Sequence, residues 1–393
     1  MQLSVGSSQV SRVLGLGVCA GMLALAACSG ASQPVHFFAE GRPGKLSDWH
    51  VVSRKGGSLE LNEGVVPYDL NTPLFSDYAH KLRTIWMPAG SAATYSADGN
   101  FEFPVGTIIS KTFYYPLPKG AVHEAKAVAR TYDQSRDFSD HRNGKRDLDL
   151  AQVHLIETRL LVRREGGWQA FPYVWDAAQR EAVLARTGDA KPLELIADDG
   201  AREPFTYVVP NENQCAGCHV ADLKSKQIAP IGTKARHLNR DYEYAAGNEN
   251  QLVQLTKVGY LTGISNPASA PKNADWHDAA QPLDRRARAY LDVNCGHCHN
   301  AKGPANTTAL DLTIFAAADR YLGVCKPPVA AGRGTGDHYF DIVPGKPQDS
   351  ILPYRLRSNE PGVMMPEQGR TTTHREGVDL IETWIASLHG ACE

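Results

Sequence analysis

The chain has 393 residues, of which 42% are hydrophobic, and its formal net charge is −2. This length suggests two or three domains, and the hydrophobic content is sufficient for well-packed cores. A net charge so close to zero supports neither nucleic acid nor an anionic membrane surface as a partner, and we expect no binding to nucleic acid.

Residues 1–27 are typical of a bacterial export signal. Arg12 precedes an apolar run over residues 13–27. A transmembrane helix is the alternative, but such a helix needs roughly 20 apolar residues and this run is shorter. The sequence therefore predicts a protein that is exported and does not span the membrane.

The end of this segment, Leu25-Ala26-Ala27-Cys28, matches a bacterial lipobox. In a lipobox, small residues precede a cysteine that becomes the lipid-bearing N-terminus. We therefore expect lipidation of Cys28, a tether over residues 28–48, and a location on the periplasmic side of the cell envelope. Ser29 stands where an Asp would retain a proteobacterial lipoprotein in the inner membrane, so the outer membrane is favoured.

Residues 49–210 are typical of an antiparallel β domain. Residues 107–115 are rich in β-branched and aromatic side chains, which strands prefer. Residues 155–164 and 168–175 flank Glu165-Gly166-Gly167, a pattern that predicts a hairpin. We expect a sandwich or a barrel-like arrangement here.

Two further segments of this region are predicted to be loops. Asp98-Gly99 is a good tight-turn dipeptide between strand-like runs. Residues 133–149 are dense in both signs of charge, which indicates a solvated surface loop, with a calcium-binding loop as the alternative.

The strongest functional signal is Cys-x-x-Cys-His, which occurs as Cys215-Ala216-Gly217-Cys218-His219 and again as Cys295-Gly296-His297-Cys298-His299. In this motif two thiols on one turn add to the vinyl groups of a haem, and the next side chain ligates the iron. Two copies predict two haem c groups, with His219 and His299 as iron ligands. His297 occupies a variable position, where we expect a solvated neighbour.

A single zinc site built from both Cys-x-x-Cys pairs is the alternative to haem. Three observations argue against zinc: a His directly follows each pair, the chain carries an export signal, and the copies lie 80 residues apart (299 minus 219). We therefore expect haem attachment.

The periodicity changes to helical after the first motif. Leu252, Leu255 and Val258 recur at helical spacing, as do apolar residues over 283–291 just before the second motif. Residues 265–282 contain three prolines among small polar residues, which predicts a linker.

The last predicted element is an amphipathic helix. Thr373 and Glu376 are spaced as a capping box, and Gly390 supplies a stop. Its apolar face is formed by Val378, Ile381, Ile385 and Leu388.

These signals together predict a multidomain α+β fold. We expect the N-terminal antiparallel β domain to be followed by mainly α-helical c-type cytochrome haem modules over residues 211–275 and 276–393. A helix that carries the haem motif and a terminal helix that crosses it make the second module similar to class I cytochromes c.

Met365 is the predicted sixth ligand of the second haem. It lies in Val363-Met364-Met365-Pro366, after the haem motif and before the terminal helix, where class I cytochromes place a methionine followed by proline. Met364 is the close competitor, and core packing is the alternative for either.

The first haem has several candidate sixth ligands. No methionine lies between Cys218 and Pro282. The candidates are His237, Met87, His80, His123 and His154. A five-coordinate iron is the alternative.

Two smaller features complete the chain. Cys325 and Cys392 remain after lipidation and haem attachment, and in an oxidising periplasm we expect them to pair, with two buried free thiols as the alternative. Residues 332–336 form a glycine-rich turn, in which Arg333 is a candidate partner for a haem propionate.

With these residues in view, the chain resembles a family of bacterial dihaem c-type cytochromes that are often encoded beside parallel β-helix repeat proteins. The resemblance implies two covalent haems and an exported lipoprotein. It rests on five segments: residues 66–78, 103–107, 157–161, 213–215 and 341–345.

The expected function is therefore electron transfer in the cell envelope through two haems. The partner would be a redox protein or a quinol-linked donor. Two alternatives are a peroxidase-like dihaem enzyme with one open iron, and a binding module in which the haems are accessory. No distal acid–base set can be identified in the sequence, which favours the electron carrier.

Overall fold

The computed structural model describes residues 1–3, 6, 33–118, 126–131, 139–140, 147–329 and 331–393. Most of the predicted export signal, Cys28, His123 and most of the charged segment 133–149 lie outside this range. Among the described residues, no helix is both long enough and apolar enough to cross a membrane. Everything from Pro34 to Glu393 belongs to one compact unit.

The described strands, in chain order, are β1 (Val52–Lys55), β2 (Ser58–Leu61), β3 (Val66–Tyr68), β4 (His80–Trp86), β5 (Ala93–Thr94), β6 (Ile108–Pro116), β7 (Ala127–Ala129), β8 (Ser139–Asp140), β9 (Asp147–Asp149), β10 (Val153–Arg164), β11 (Gly167–Trp175), β12 (Ala182–Leu184), β13 (Asp189–Ile196), β14 (Arg202–Val209), β15 (Asp241–Tyr244), β16 (Gly247–Asn250) and β17 (Leu261–Thr262). The described helices are α1 (Glu212–His219), α2 (Ala235–Leu238), α3 (Gln251–Lys257), α4 (Leu283–Asn294), α5 (Ile351–Arg357) and α6 (Arg375–Ser387).

A six-stranded antiparallel sheet, in the order β12-β11-β10-β6-β4-β3, lies at the centre of the fold. β6 is built from β-branched and aromatic residues, as predicted, and it is buried at every position but Lys111. The predicted hairpin is confirmed: β10 pairs with β11 in a register that ends at Arg164 opposite Gly167. Both faces of this sheet are covered, since separate apolar clusters pack on each side.

Smaller sheets surround the central one. Their orders are β1-β2-β9-β8, β14-β13-β7, β15-β16 and β17-β5. The Asp98-Gly99 turn lies within a longer connection, because the backbone pairing around it joins Thr94 to Glu102.

The predicted fold class is wrong. The structure has more strand than helix, several antiparallel sheets, and in its described part six helices, so the haem-motif segments are not mainly α-helical modules. The physical reason lies in the first of these segments, whose apolar residues pack on the β sheets, whereas residues 276–388 form an apolar cluster of their own. Ala235, Leu238, Leu252 and Leu261 pack in one apolar cluster with residues of β3, β4 and β6.

The predicted linker at residues 265–282 is also part of the packed structure. Trp276 is buried in the cluster that contains α4 and α6. Thr72 donates a hydrogen bond to Ala274 O at 2.8 Å and accepts one from Trp276 N at 3.2 Å. Residues 274–276 of the predicted linker are therefore held against the preceding loop of the β region.

The terminal helix is present, but the predicted capping box is wrong. α6 begins at Arg375, and its N-cap residue is His374. Glu376 accepts a hydrogen bond from the Tyr78 hydroxyl at 2.8 Å, and the Thr373 hydroxyl donates to Arg357 O at 2.9 Å. Both predicted capping side chains are therefore engaged in tertiary contacts. The helix ends at Ser387, before Leu388 and Gly390.

α6 crosses α4 at a glycine. A Cβ atom at Gly377 would overlap the Tyr290 hydroxyl of α4, so only glycine permits this close approach. Trp384 Nε1 donates to Asp284 of α4 at 2.9 Å. The contacts at Tyr290 and Asp284 therefore hold α4 against α6, immediately before the second Cys-x-x-Cys-His motif.

Candidate functional site

The first motif lies on α1. Asn211 caps this helix by accepting a hydrogen bond from Gln214 N at 2.8 Å, and the Gln214 side chain accepts one from Asn211 N at 2.9 Å. This reciprocal capping stabilises a helix of only two turns. Cys215 is buried, and His219 is the last residue of the helix.

The second motif follows α4 in a tight turn. Backbone hydrogen bonds join Cys298 N and His299 N to Cys295 O, at 3.0 Å and 2.9 Å. A Cβ atom at Gly296 would approach the backbone of Asp292 and Leu312, so glycine is required for the close packing of this turn. The motif is thus held between α4 and the loop around residue 312.

Both motif histidines are arranged to present Nε2. His219 Nδ1 lies 2.7 Å from Ala229 O, and because a carbonyl only accepts, Nδ1 carries the proton. His299 Nδ1 lies 3.1 Å from the Thr308 hydroxyl, whose proton is already donated to Ala305 O at 2.7 Å. In each ring the unprotonated nitrogen is therefore Nε2, the arrangement that a metal-ligating His needs.

The pKa values of these histidines favour the same neutral form. Burial, and then the charge of Lys111, lowers the pKa of His219 to about 4. Burial, and then the charge of Arg355, lowers the pKa of His299 to about 4. At neutral pH both imidazoles are uncharged and have a free lone pair.

Two adjoining cavities lie in front of the motifs. The second motif faces a cavity of about 550 Å³ with apolar walls, within the usual size range of ligand pockets. The first motif faces a narrower cavity of about 120 Å³, bounded by α1 and by the central sheet. A planar ligand in the narrower cavity would contact both walls closely. The sheet wall includes Ile109, Lys111, Phe113, Arg159, Leu161 and Ala170.

The two motifs touch each other. The Cys298 thiol lies 3.7 Å from Gly217 O and shares a hydrogen bond with Cys218, which lowers the pKa of Cys218 and raises that of Cys298. His297 also hydrogen-bonds to Cys218, and it lines both cavities. Predicted as a solvated neighbour, His297 is half-buried between the two motifs. Two motifs that lie 80 residues apart in sequence (299 minus 219) are therefore in direct contact in the fold.

The other two motif thiols are shielded. Burial raises the pKa of Cys295 to about 12 and also raises the pKa of Cys215. Cys325 and Cys392, in contrast, form a disulfide with a Cα–Cα distance of 5.1 Å. In the described part of the chain, no group of three or more His, Cys, Asp or Glu side chains is arranged to hold a metal ion.

Met365 lies on the wall of both cavities, whereas Met364 lies on neither. Its loop is held by the buried guanidinium of Arg370, which donates to Met365 O at 2.9 Å and 3.2 Å. The same guanidinium also donates to the carbonyl groups of Arg355, Leu356, Ser358 and Thr372. Sequence reasoning missed Arg370, since nothing in the sequence indicates that one side chain binds so many carbonyl groups.

The loop around Arg370 is in turn fixed to the β region. Asp77 is buried and accepts hydrogen bonds from Thr371 N and Thr372 N, both at 2.7 Å, and from the Thr372 hydroxyl at 2.9 Å. Phe75 N donates to Asn294 Oδ1 of α4 at 2.9 Å. One β-region loop therefore positions both α4 and the Met365 loop.

Most of the predicted sixth ligands of the first haem lie away from its cavity. His237, Met87, His80 and His154 are not among the residues that line it, and His123 lies outside the described residues. His237 Nε2 instead faces Asp292 at 3.5 Å. Lys111, which sequence reasoning missed, lines the cavity from β6.

Arg333, the predicted propionate partner, lines neither cavity. It is largely exposed and forms an ion pair with Glu360. Arg355 and Lys326 line the larger cavity and are the cationic side chains available there. Lys326 is paired with Asp341 at 3.2 Å, and Arg355 donates to Val363 O at 2.8 Å.

No protein-family model, curated protein or solved structure matches this chain.

Proposed function

We propose that the protein is an exported dihaem c-type cytochrome that carries single electrons across the cell envelope through two covalently bound haems. The observation that carries this proposal is the contact between the two Cys-x-x-Cys-His motifs at Gly217, Cys218 and Cys298. Two cofactors attached at touching motifs would lie close to each other, as an electron relay requires. The bacterial dihaem c-type cytochromes that the sequence resembles fit the same role.

The residues present fit a haem at each motif. Each site offers two thiols, a neutral His with Nε2 free, and a cavity with largely apolar walls. When bound, a haem supplies an iron that accepts and returns one electron. Cys215 and Cys218 would anchor the first haem and Cys295 and Cys298 the second.

The chain's own residues have defined tasks in this scheme. Ala229 O and Thr308 fix the orientation of the two imidazoles. Met365, held by Arg370, is the methionine offered to the second cavity. The apolar side chains of Leu310, Leu312 and other residues line the second cavity and would exclude water from it. Such surroundings favour the oxidation state of a bound haem that carries the lower net charge.

The same proposal places the protein in the bacterial cell envelope, on the periplasmic side and anchored through lipid at Cys28, with the outer membrane favoured. The Cys325–Cys392 disulfide supports this location, because disulfides persist in oxidising compartments. The electron donor would be a small cytochrome or a quinol-linked protein.

Replacing Met365 with Ala should remove the sulfur ligand of the second haem. We expect loss of the weak near-infrared band typical of class I cytochromes and a fall in reduction potential, since His/Met ligation raises it. The fall should exceed the ~59 mV that corresponds to a tenfold change in a one-electron equilibrium. Optical redox titration measures both effects.

Met364→Ala is the matched control, because Met364 lies outside both cavities. It should leave the band and the potential nearly unchanged. The reverse pattern would assign ligation to Met364, and an unchanged band in both variants would exclude methionine as the ligand.

The electron-carrier role predicts two saturated, low-spin haems. We expect fast one-electron reduction by a small cytochrome, and negligible turnover of hydrogen peroxide. Electron paramagnetic resonance, stopped-flow absorbance and a peroxide assay test these outcomes. Met365→Ala should leave the iron of the second haem without its methionine ligand, so this variant is the positive control for a high-spin signal. A high-spin haem in the wild-type protein together with rapid peroxide turnover would instead favour the peroxidase-like enzyme.

A further inference from the structure

Four cationic side chains lie side by side on one face of the central sheet. Arg83 of β4 and Arg159 of β10 stand directly opposite Lys111 of β6 on either side, and Lys81 follows Arg83 along β4. Three of the four have partners. Arg83 forms an ion pair with Asp69 at 2.5 Å, and Lys81 Nζ donates to Ala79 O at 2.7 Å.

Arg159 forms an ion pair with the buried carboxylate of Glu157. Its Nε and Nη2 donate to the two oxygens of Glu157 at 2.8 Å and 2.6 Å. The Tyr207 hydroxyl donates to the same carboxylate at 2.7 Å. Glu157 is therefore fully engaged by Arg159 and Tyr207.

Lys111 differs from the other three. Within the described part of the chain its ammonium group makes no hydrogen bond or ion pair, and it contacts the Phe113 ring, whose centroid lies 5.6 Å from Nζ. A half-buried ammonium group that is placed between two guanidinium groups and has no counter-ion of its own is costly. In a well-packed sheet such a group needs a reason to be there.

The position of Lys111 supplies that reason. It lines the first cavity from the sheet, whereas Cys215, Cys218 and His219 line it from α1. It is the one residue of β6 that is not buried, because its side chain faces the cavity. A haem held by Cys215, Cys218 and His219 would therefore enter the cavity that Lys111 lines.

The protonation state is compatible with ligation. Burial, and then the charges of Arg83 and Arg159, lowers the pKa of Lys111 to about 7. Near neutral pH a substantial fraction of the amine is uncharged and has a free lone pair. The neighbouring guanidinium groups cannot serve in this way, because arginine stays protonated.

We propose that Lys111 Nζ is the second protein ligand, beside His219, that would hold the iron of the first haem. The amine would give up its proton to solvent and offer its lone pair to the iron. This assignment rests on the proposed dihaem function, and it concerns a position for which none of the described sequence candidates lines the cavity.

The test uses the full-length holoprotein, with haem content and electron paramagnetic resonance measured on the same samples. The wild-type protein should carry two haems, both low-spin. Lys111→Ala should keep two haems but convert one to high-spin, and that haem should now bind added cyanide. Lys111→Arg should behave in the same way, because it retains the positive charge and cannot ligate.

Lys81→Ala is the matched control, since Lys81 lies on the same sheet face but is bound to Ala79 O. It should leave both haems low-spin. Two low-spin haems in either Lys111 variant, or a high-spin first haem in the wild-type protein, would overturn the assignment. Absence of covalent haem from the wild-type protein would instead overturn the dihaem function itself, so the two failures are distinguishable.

Discussion

Replacing Cys215 and Cys218 together with Ala should remove one of the two haems and leave the other attached. Thioether bonds survive unfolding, so the denatured wild-type protein should have the mass of the processed polypeptide plus two haems. The double variant should lack the mass of one. Intact mass measurement after acid denaturation, combined with haem absorbance per polypeptide, gives the stoichiometry directly.

The reciprocal variant, with Cys295 and Cys298 replaced by Ala, is the control for this experiment. It should also keep one haem, but the near-infrared band assigned to Met365 should disappear with the second haem. A wild-type mass equal to the bare polypeptide plus lipid would falsify haem attachment. Equal loss of both haems in either double variant would show that the motifs do not act separately.

Replacing Asp292 with Ala should destabilise the protein by about 3–5 kcal/mol, the range for removing one partner of a buried ion pair. Arg236 Nε and Nη2 donate to the two Asp292 oxygens at 2.8 Å and 3.0 Å, and both side chains are almost fully buried. Asn273 donates to the same carboxylate at 2.9 Å. The variant would leave the Arg236 charge without its counter-ion.

Urea unfolding of the holoprotein, followed by circular dichroism, measures this loss. Asp379→Ala is the control, because Asp379 is exposed on α6 and should cost within about 0.5 kcal/mol. A similar midpoint for both variants would contradict the role of the ion pair.

The ion pair also predicts a pH dependence. Burial alone would raise the pKa of Asp292, but the hydrogen bonds from Arg236 and the neighbouring positive charges hold it below its usual range. Since the folded pKa lies below the unfolded value of about 3.9, this contribution is complete above that pH and is lost as the pH falls below it. The free energy of unfolding of Asp292→Ala should lack this pH-dependent contribution.

The local signals in the sequence predicted local structure well. The β10–β11 hairpin is confirmed because a glycine-rich turn between two strand-like runs specifies its own pairing. The terminal helix is present because its apolar face is encoded over a single segment. The capping box failed because Thr373 and Glu376 bind Arg357 and Tyr78, contacts that no local pattern reveals.

Long-range packing is what the sequence did not predict. Helical periodicity around Leu252 and Leu255 correctly indicated a helix, yet that helix buries its apolar face against β strands and not within a helical module. The roles of Arg370 and Lys111 depend on segments that are distant in sequence. Their partners and cavities exist only once the sheet, α1 and the Met365 loop have come together.

If the two motifs carry haems as proposed, the contact between them has a consequence for the order of attachment and folding. A chain that folded before receiving its cofactors would place the Cys218 and Cys298 sulfurs together in an oxidising compartment, where their oxidation to a disulfide would block both attachment sites. Cys215 and Cys295 would by then be buried thiols of raised pKa and low reactivity. For the proposed dihaem protein, haem attachment to both motifs would therefore have to precede completion of the fold.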